Sequence, residues 1–258
     1  MCLILLAIHC HPIYDLILLA NRDEFYKRDS KPAHFWDESP QLLAGKDLRG
    51  GGTWLGVTKY GKIAAITNYR DPAHHKPSAP SRGGLVRDFL QGQASSKQYL
   101  ENVIPNSLDY NGFNLLLGER DRIFWYTNHT KQKKLLSLGI HGVSNHLLDT
   151  PWPKVTRGIF FLEEIISDKK EIVPEMVFQF LRDDRVPEDK DLPDTGVGLE
   201  RERVLSPIFI TSPDYGTRSS TILVIDKDDQ VTFIERTYDS DVCHPSTVRF
   251  DFRIKKTE

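Results

Sequence analysis

A cysteine stands directly after the initiator methionine. Removal of Met1, which a small second residue permits, makes Cys2 the amino-terminal residue. The α-amine freed in this way has a reference pKa of about 8, so it can accept the thiol proton at neutral pH. Nucleophile and base then belong to one residue, and no histidine partner is needed. The alternative is that Cys2 is a small apolar residue opening a core strand.

A polar run that includes Arg22 and Asp23 comes just after the second apolar segment of the chain. If segments 3–8 and 16–20 pair as a hairpin, this run returns to a position beside Cys2. Arg22 near the thiol would stabilise the thiolate, and Asp23 would orient the amine through a charged hydrogen bond. The alternative is a solvated turn whose local ion pairs contribute little.

Short apolar runs predict paired strands, and longer amphipathic runs predict helices. Strand pairs are predicted at 3–8 with 16–20, 53–58 with 62–67, 111–118 with 123–127 and 219–225 with 231–236, and one more strand at 248–254. Helices are predicted at 81–90, 152–166 and 173–181, and a long surface loop rich in Asp, Pro and Gly at 182–203. Strand pairs separated by helices indicate a layered α+β domain and not alternating βαβ units.

The chain has 258 residues, which we assign to a single domain covering 1–258. Lys and Arg total 34 and Asp and Glu total 36, so a net charge of -2 favours neither nucleic acid nor an anionic membrane as a partner. No apolar run reaches the ~20 residues of a membrane-spanning helix, and we expect no span. Three cysteines without a C-x-x-C pair predict a reducing, cytoplasmic location.

The histidines do not predict a metal site. His9 and His11 would share a strand face, whereas His74, His141 and His146 are predicted in loops. No set shows recognised ligand spacing with supporting carboxylates, so we expect no structural metal and no cofactor. The His9-x-His11 spacing leaves weak haem or metal binding as the alternative.

Seven segments of the chain resemble the NRDE family, which includes transport and Golgi organisation proteins. They are "MCLIL", "LLANRDEFY", "LAGKDLRGGGTWLGVT", "GKIAAITNYRDP", "YNGFNLL", "HGVSNHLLDTPWPK" and "YGTRSSTILVID", and together they span nearly the whole chain. The resemblance implies the N-terminal-nucleophile (Ntn) hydrolase fold, a four-layer αββα sandwich with antiparallel sheets. Family members are linked to Golgi organisation, lipid metabolism and haem trafficking, so the resemblance does not name an activity.

The chain is also similar, more distantly, to cysteine Ntn enzymes of the bile-salt hydrolase and penicillin V acylase group. There the nucleophilic Cys follows Met, and an Arg and an Asp come later. Asp23 fits this pattern, and either Asn21 or Arg22 takes the arginine position.

The same likeness implies roles for three further residues: an oxyanion-hole amide for Asn68, a second active-site amide for Asn145 and a late active-site guanidinium for Arg218. One amide donor aimed at a developing oxyanion contributes ~3 kcal/mol to catalysis. Each residue also has a structural alternative. Asn68 would end a strand before a turn, Asn145 would cap loop backbone, and Arg218 would be an exposed charge at a strand entry.

These residues support three hypotheses about function. The first is a cysteine Ntn amidohydrolase that cleaves a linear, non-peptide C–N bond in a small-molecule substrate. The second is a non-catalytic binding or trafficking protein for haem or an acyl-CoA-type lipid. The third is a scaffold for protein partners. The sequence leaves the oligomeric state open.

Loss of Met1 should make Cys2 more reactive than Cys10 or Cys243, because only Cys2 then carries a free amine beside its thiol. Intact mass of protein from its native cell tests the processing, and mass-mapped alkylation under limiting reagent tests the reactivity. Preferential labelling of Cys243, with Cys2 inert, contradicts the expectation.

Overall fold

A computed structural model describes residues 2–119, 122–238 and 244–256. Within these ranges the chain forms thirteen strands and five α-helices. The strands are β1 (Cys2–Ile8), β2 (Tyr14–Phe25), β3 (Ser30–Trp36), β4 (Ser39–Asp47), β5 (Leu55–Thr58), β6 (Lys62–Asn68), β7 (Phe113–Glu119), β8 (Arg122–Thr127), β9 (Gln132–Leu135), β10 (Gly139–Val143), β11 (Tyr215–Asp226), β12 (Gln230–Thr237) and β13 (Ser246–Arg253). The helices are α1 (Gly83–Gln91), α2 (Ser96–Val103), α3 (Pro153–Asp168), α4 (Pro174–Leu181) and α5 (Leu199–Leu205).

The strands of the described ranges form two antiparallel sheets. One sheet has six strands in the order β10-β1-β2-β11-β12-β13, and the other has seven in the order β3-β4-β5-β6-β7-β8-β9. The first sheet therefore joins the two ends of the chain, whereas the second follows chain order. Although β1 is the first strand of the chain, it is internal in its sheet, because β10 and β2 flank it on both sides.

Alternation of side chains along β1 shows how the layers are filled. Ile4 and Leu6 pack in the core between the two sheets, whereas Leu3 and Leu5 pack against α3 and α4 on the outer face. A third core lies between the outer face of the second sheet and helices α1 and α2. The order of layers is helix, sheet, sheet, helix, so the αββα sandwich is confirmed.

The predicted hairpins and three long helices are confirmed, with ends that differ by a few residues. The turn predicted between β7 and β8 includes residues outside the described ranges. Sequence patterns did not predict β3, β4, β9, β10, α2 or α5. The first two form the edge of the second sheet, where Pro32 removes a backbone donor and the register shifts.

Three local expectations were wrong. The polar run at Arg22 and Asp23, expected just after the second strand, lies inside β2, because β11 continues the ladder beyond the apolar segment. His141 lies in β10, which forms by pairing with β1. His9 lies beyond β1 with φ 49°, so it does not share a strand face with His11, and it forms an ion pair with Asp15 at 3.0 Å.

One buried carboxyl group connects the two sheets. Glu235 of β12 is 1% exposed, and its Oε1 accepts a hydrogen bond of 2.7 Å from the backbone N–H of Ala33 in β3. Burial raises the pKa of Glu235 to about 7, although the Ala33 N–H and the charge of Arg22 favour the ionised form. The carboxyl group therefore gains a proton near neutral pH.

The Glu235→Gln variant should show the contribution of this proton to stability. Because the folded pKa of about 7 exceeds the ordinary value of 4.5, protonated Glu235 stabilises the fold below pH 4.5, and this contribution is lost as pH rises through 7. Glutamine keeps an acceptor for Ala33 but cannot ionise. The free energy of unfolding of Glu235→Gln minus that of the parent should therefore increase by on the order of 3 kcal/mol between pH 4.5 and pH 7.

Urea denaturation at a series of pH values measures this difference. The same exchange at exposed Glu101 of α2 is the control and should leave the parent profile unchanged. A constant difference between Glu235→Gln and parent at every pH contradicts the assignment.

Candidate functional site

Cys2 is the first residue of β1 and is held by backbone pairing. It lies opposite Arg22 in the ladder between β1 and β2. On the other side β10 ends opposite Ile4, and the next residue, Ser144, donates from its hydroxyl to the Cys2 carbonyl oxygen at 2.9 Å. The cysteine therefore has a defined position, and the residue as a whole is half-buried.

The surroundings of the thiol act on its ionisation in opposite directions. Burial raises the pKa of Cys2, and the Asp23 carboxylate adds to this. The positive charge of the amino terminus, a hydrogen bond from the Asp23 backbone and the charge of Arg22 lower it. Burial prevails, so the thiol needs a base or a further cation to become a thiolate at neutral pH.

Asp23 is a buried carboxylate, 2% exposed. Its Oδ1 accepts a hydrogen bond of 2.7 Å from the hydroxyl of Thr217, and its backbone carbonyl accepts one of 2.9 Å from the hydroxyl of Tyr215. Burial raises the pKa of Asp23, and the ammonium group of Lys154 is the strongest of the groups that lower it. Asp23, itself in β2, is therefore held by two residues of β11, and the charge of Lys154 at the start of α3 favours its ionised form.

Arg22 is 6% exposed and lies between the sheets. Its guanidinium carbon is 4.2 Å from the centroid of the Trp54 ring, a stacking distance for a cation on an aromatic face. Trp54 reaches this position over Gly45, where an added Cβ would lie 2.3 Å from the indole ring. The Nη1 atom of Arg22 has no hydrogen-bond partner among the described residues.

Asn145 connects Asn68, at the end of β6, to the start of β1. Its side-chain amide donates to the Asn68 carbonyl oxygen at 2.9 Å, and its Oδ1 lies 3.2 Å from the Ser144 hydroxyl. Thr67 donates from its hydroxyl to the Ser144 carbonyl oxygen at 2.6 Å. This chain of hydrogen bonds brings Cys2, Asn68 and Asn145 to one end of the sandwich, although they come from both sheets.

A cavity of about 700 Å³ opens at this end. Asn68 and Asn145 line it, whereas Cys2 and the other three predicted residues do not appear in its wall. Its remaining wall combines apolar and charged side chains, including Phe25, Tyr69, Val204, Leu205, Tyr215, Arg70 and Arg82. The volume falls within the ~300–1,000 Å³ range of small-molecule sites.

Arg218 lies at the same end of the first sheet, at the register shift opposite Arg22 and Asp23. Its Nη1 donates to the backbone carbonyl of Tyr26 at 3.0 Å and lies 3.2 Å from that of Phe25. The guanidinium therefore holds the segment that follows β2. Its active-site role stays a prediction, as do the roles of the other five residues.

Sequence reasoning missed three charged residues near the site. Arg70 and Glu202 form a buried ion pair, which connects the segment after β6 to α5 in the region predicted as a surface loop. Lys154 is 1% exposed in the first turn of α3. A signal for Lys154 was present, because helical spacing places it on the same face as Gly158 and Leu162, which are buried.

Two other kinds of feature are absent from the described ranges. No group of three or more His, Cys, Asp and Glu side chains in the described part of the chain is arranged to hold a metal ion. In those same ranges no helix is long and apolar enough to cross a membrane.

The fold and the site together define a class: an αββα protein with a cysteine at the start of a central strand and a cavity at the same end of the sandwich. The chain belongs to the transport and Golgi organisation 2 family, whose model matches residues 1–240. This confirms the membership predicted from the seven motifs.

Relatives of similar length support the assignment. The chain is 36% identical over 276 residues to the human transport and Golgi organization protein 2 homolog, covering 99% of this chain and 100% of the relative. It is 35% identical over 276 residues to the Bos taurus homolog, with the same coverage. It is 28% identical over 266 residues to transport and Golgi organization protein 2 of Drosophila melanogaster, covering 92% of each chain.

Solved structures match at lower sequence identity. An N-acylethanolamine-hydrolyzing acid amidase ortholog of Caenorhabditis elegans has a TM-score of 0.49 and 10% identity, covering 86% of this chain and 92% of that chain. A C2A mutant of the conjugated bile acid hydrolase from Clostridium perfringens also has a TM-score of 0.49 and 10% identity, covering 100% of this chain and 98% of that chain.

Removal of the hydrogen bonds around Asn145 should destabilise the fold. We expect Asn145→Ala to lower the free energy of unfolding by about 2 kcal/mol and Ser144→Ala by about 1 kcal/mol, because each leaves buried polar groups without partners. Because the two side chains contact each other, the double variant should lose less than the sum. Urea denaturation of the four proteins measures this coupling, and strict additivity contradicts the proposed network.

Proposed function

We propose that this protein is a cysteine amidohydrolase that cleaves a linear, non-peptide C–N bond with Cys2 as nucleophile. The observation that carries the proposal is the position of Cys2, at the start of an internal strand and within one hydrogen-bond network of two asparagines that line a cavity. In this proposal the substrate carbonyl lies between Asn68 in the cavity wall and the Cys2 thiol, which stands outside that wall, so the thiol comes from one sheet and the amide from the other.

The proposed reaction begins with the mature chain, after loss of Met1. The α-amine of Cys2 accepts the thiol proton, and the sulfur attacks the substrate carbonyl carbon. Asn68, with a backbone N–H, stabilises the negative charge that develops on the carbonyl oxygen. The α-ammonium then gives its proton to the departing amine as the C–N bond breaks, leaving a thioester on Cys2.

Water completes the proposed reaction. The α-amine accepts a proton from a water molecule that attacks the thioester carbonyl, and the bond to sulfur breaks to release the carboxylic acid and restore the thiol. In this scheme Asp23 accepts a hydrogen bond from the α-ammonium, and Arg22 stabilises the thiolate. The side-chain amide of Asn145 positions Asn68 by donating to the Asn68 backbone carbonyl. Arg218 holds the segment after β2.

The second candidate is a carrier of haem or an acyl-CoA-type lipid. It draws support from the wall of the cavity, where Phe25 and Val204 face the same space as the cation Arg82. Such a wall suits an apolar ligand that bears a negative charge.

Either function would operate in a reducing compartment, because Cys2 and Cys10 are both free thiols, and we propose the cytoplasm.

Cys2 variants should separate the two candidates. As an enzyme, the Cys2→Ala protein should fold but lose turnover, and Cys2→Ser should retain at most slow turnover because a hydroxyl ionises far less readily. Asn68→Ala should slow the chemical step by ~10²–10³-fold. A panel of acyl amides and acyl thioesters, assayed with the parent and each variant, provides the measurement.

Ligand binding provides the control for this experiment. Thermal stabilisation by haem or by an acyl-CoA should be the same for the parent and Cys2→Ala if the variant has a native cavity. Equal, near-background turnover by parent and Cys2→Ala across the panel, with binding retained, contradicts the enzyme and supports the carrier.

A further inference from the structure

Lys154 is a buried cation in an unfavourable position. It is the second residue of α3, its side chain is 1% exposed, and its Nζ has no hydrogen-bond partner among the described residues. Burial of an ammonium group without hydrogen bonds opposes folding. The position adds to this cost, because the positive end of a helix dipole lies at its first turn. An apolar side chain would fit the buried face of α3 without either cost.

Four groups from different parts of the fold influence the charge of Lys154. They are Asp23 of β2, Arg70 of the segment after β6, Cys2 of β1 and Glu202 of α5. Burial lowers the pKa of Lys154 to about 8, although Asp23 foremost, and also Cys2 and Glu202, favour the charged form. Lys154 is therefore an ammonium group at pH 7 and becomes a neutral amine above pH 8.

The two carboxylates near Lys154 differ in their other contacts. Glu202 already binds Arg70, and its Oε1 accepts a hydrogen bond of 2.9 Å from the backbone N–H of Thr195. Asp23 accepts from the hydroxyl of Thr217, and the amino terminus and Arg22 also favour its charged form. Lys154 is the strongest of the groups that keep Asp23 ionised.

We infer that Lys154 is a positioning residue of the Cys2 centre: its ammonium group offsets the Asp23 carboxylate and so stabilises the Cys2 thiolate. An ionised Asp23 alone would hold the amino terminus of the mature chain but would also oppose loss of the thiol proton. A cation beside Asp23 allows both groups to be ionised together. The inference rests on the proposed role of Cys2 and not on the identity of the amide.

The rate at which iodoacetamide alkylates Cys2 between pH 6 and pH 10 tests the inference. Full-length parent, Lys154→Met and Lys154→Arg are compared by mass-mapped peptides. At pH 7 Lys154→Met should react about tenfold more slowly, the effect of one nearby opposite charge on a thiol pKa. The difference should shrink as pH rises through about 8, because the parent then loses the Lys154 proton. Lys154→Arg should react like the parent at pH 7, and should remain faster than Lys154→Met above pH 8.

Controls separate this effect from a loosened fold. Lys62 is the matched lysine, since it is partly buried on the second sheet and donates to the carbonyl oxygens of Gly92 and Ala94. Lys62→Met should leave the Cys2 rate unchanged, and labelling of Cys10 in each sample reports general opening. If Lys154→Met does not fold, Asp23→Asn/Lys154→Met is compared with Asp23→Asn. Because Lys154 acts through the Asp23 carboxylate, the two should react at the same rate at pH 7, and a slower double variant overturns the inference.

Four results overturn the inference or separate it from the amidohydrolase proposal. An unchanged Cys2 rate in Lys154→Met overturns it, as does a slower rate whose ratio to the parent is the same at pH 7 and pH 9. If the parent turns over no amide but the pH-dependent labelling difference is present, the inference stands and the amidohydrolase proposal fails. If the parent turns over an amide without that labelling difference, the amidohydrolase proposal stands and the inference fails.

Discussion

The ladder that holds β1 between β10 and β2 is the interaction on which the candidate site depends. Pairing with β2 includes Cys2, which lies opposite Arg22, so the backbone ladder itself places the cysteine. A slip of one residue would turn its side chain to the opposite face of the sheet. The apolar residues of β1 prevent such a slip, because Ile4 and Leu6 belong between the sheets whereas Leu3 and Leu5 belong under the helices.

The site is also an unusual concentration of buried charge. Arg22 stacks on Trp54, Arg70 binds Glu202, and Asp23 and Lys154 favour one another's charged forms. Apolar residues of similar volume would often be neutral or stabilising at such positions. Perturbed ionisable groups in a cleft are typical of functional sites, since fixed charges can stabilise a charge that develops during a reaction. The concentration of these groups around Cys2 is a physical reason to regard this end of the sandwich as the centre of function.

Buried polar contacts, among them the following two, link the two sheets. Glu235 receives the Ala33 N–H across the sandwich, and Asn145 donates to the Asn68 carbonyl at the cavity. An apolar core between the sheets supplies attraction but little direction, whereas hydrogen bonds between buried groups specify one arrangement. The cavity lies at the end of the sandwich where these contacts occur, and its wall includes residues from both sheets, such as Phe25 and Asn68.

Local patterns in the sequence determined much of the architecture. Apolar alternation and helical periodicity predicted the main hairpins and the three long helices, and the family motifs implied the four-layer order. The position of Cys2 after Met1, and the return of Arg22 beside it, also followed from sequence, because a hairpin pairs residues that are close along the chain.

Tertiary structure alone decided the features that depend on distant partners. β10 is a short, glycine-containing segment that becomes a strand because β1 supplies its hydrogen bonds, and β2 extends through a polar run because β11 does the same. Helical spacing places Lys154 on the buried face of α3, but only the fold brings the charges of Asp23 and Glu202, far away in the chain, near enough to influence it. Which charges surround a buried side chain depends on the segments that pack against it, and that information is absent from local sequence.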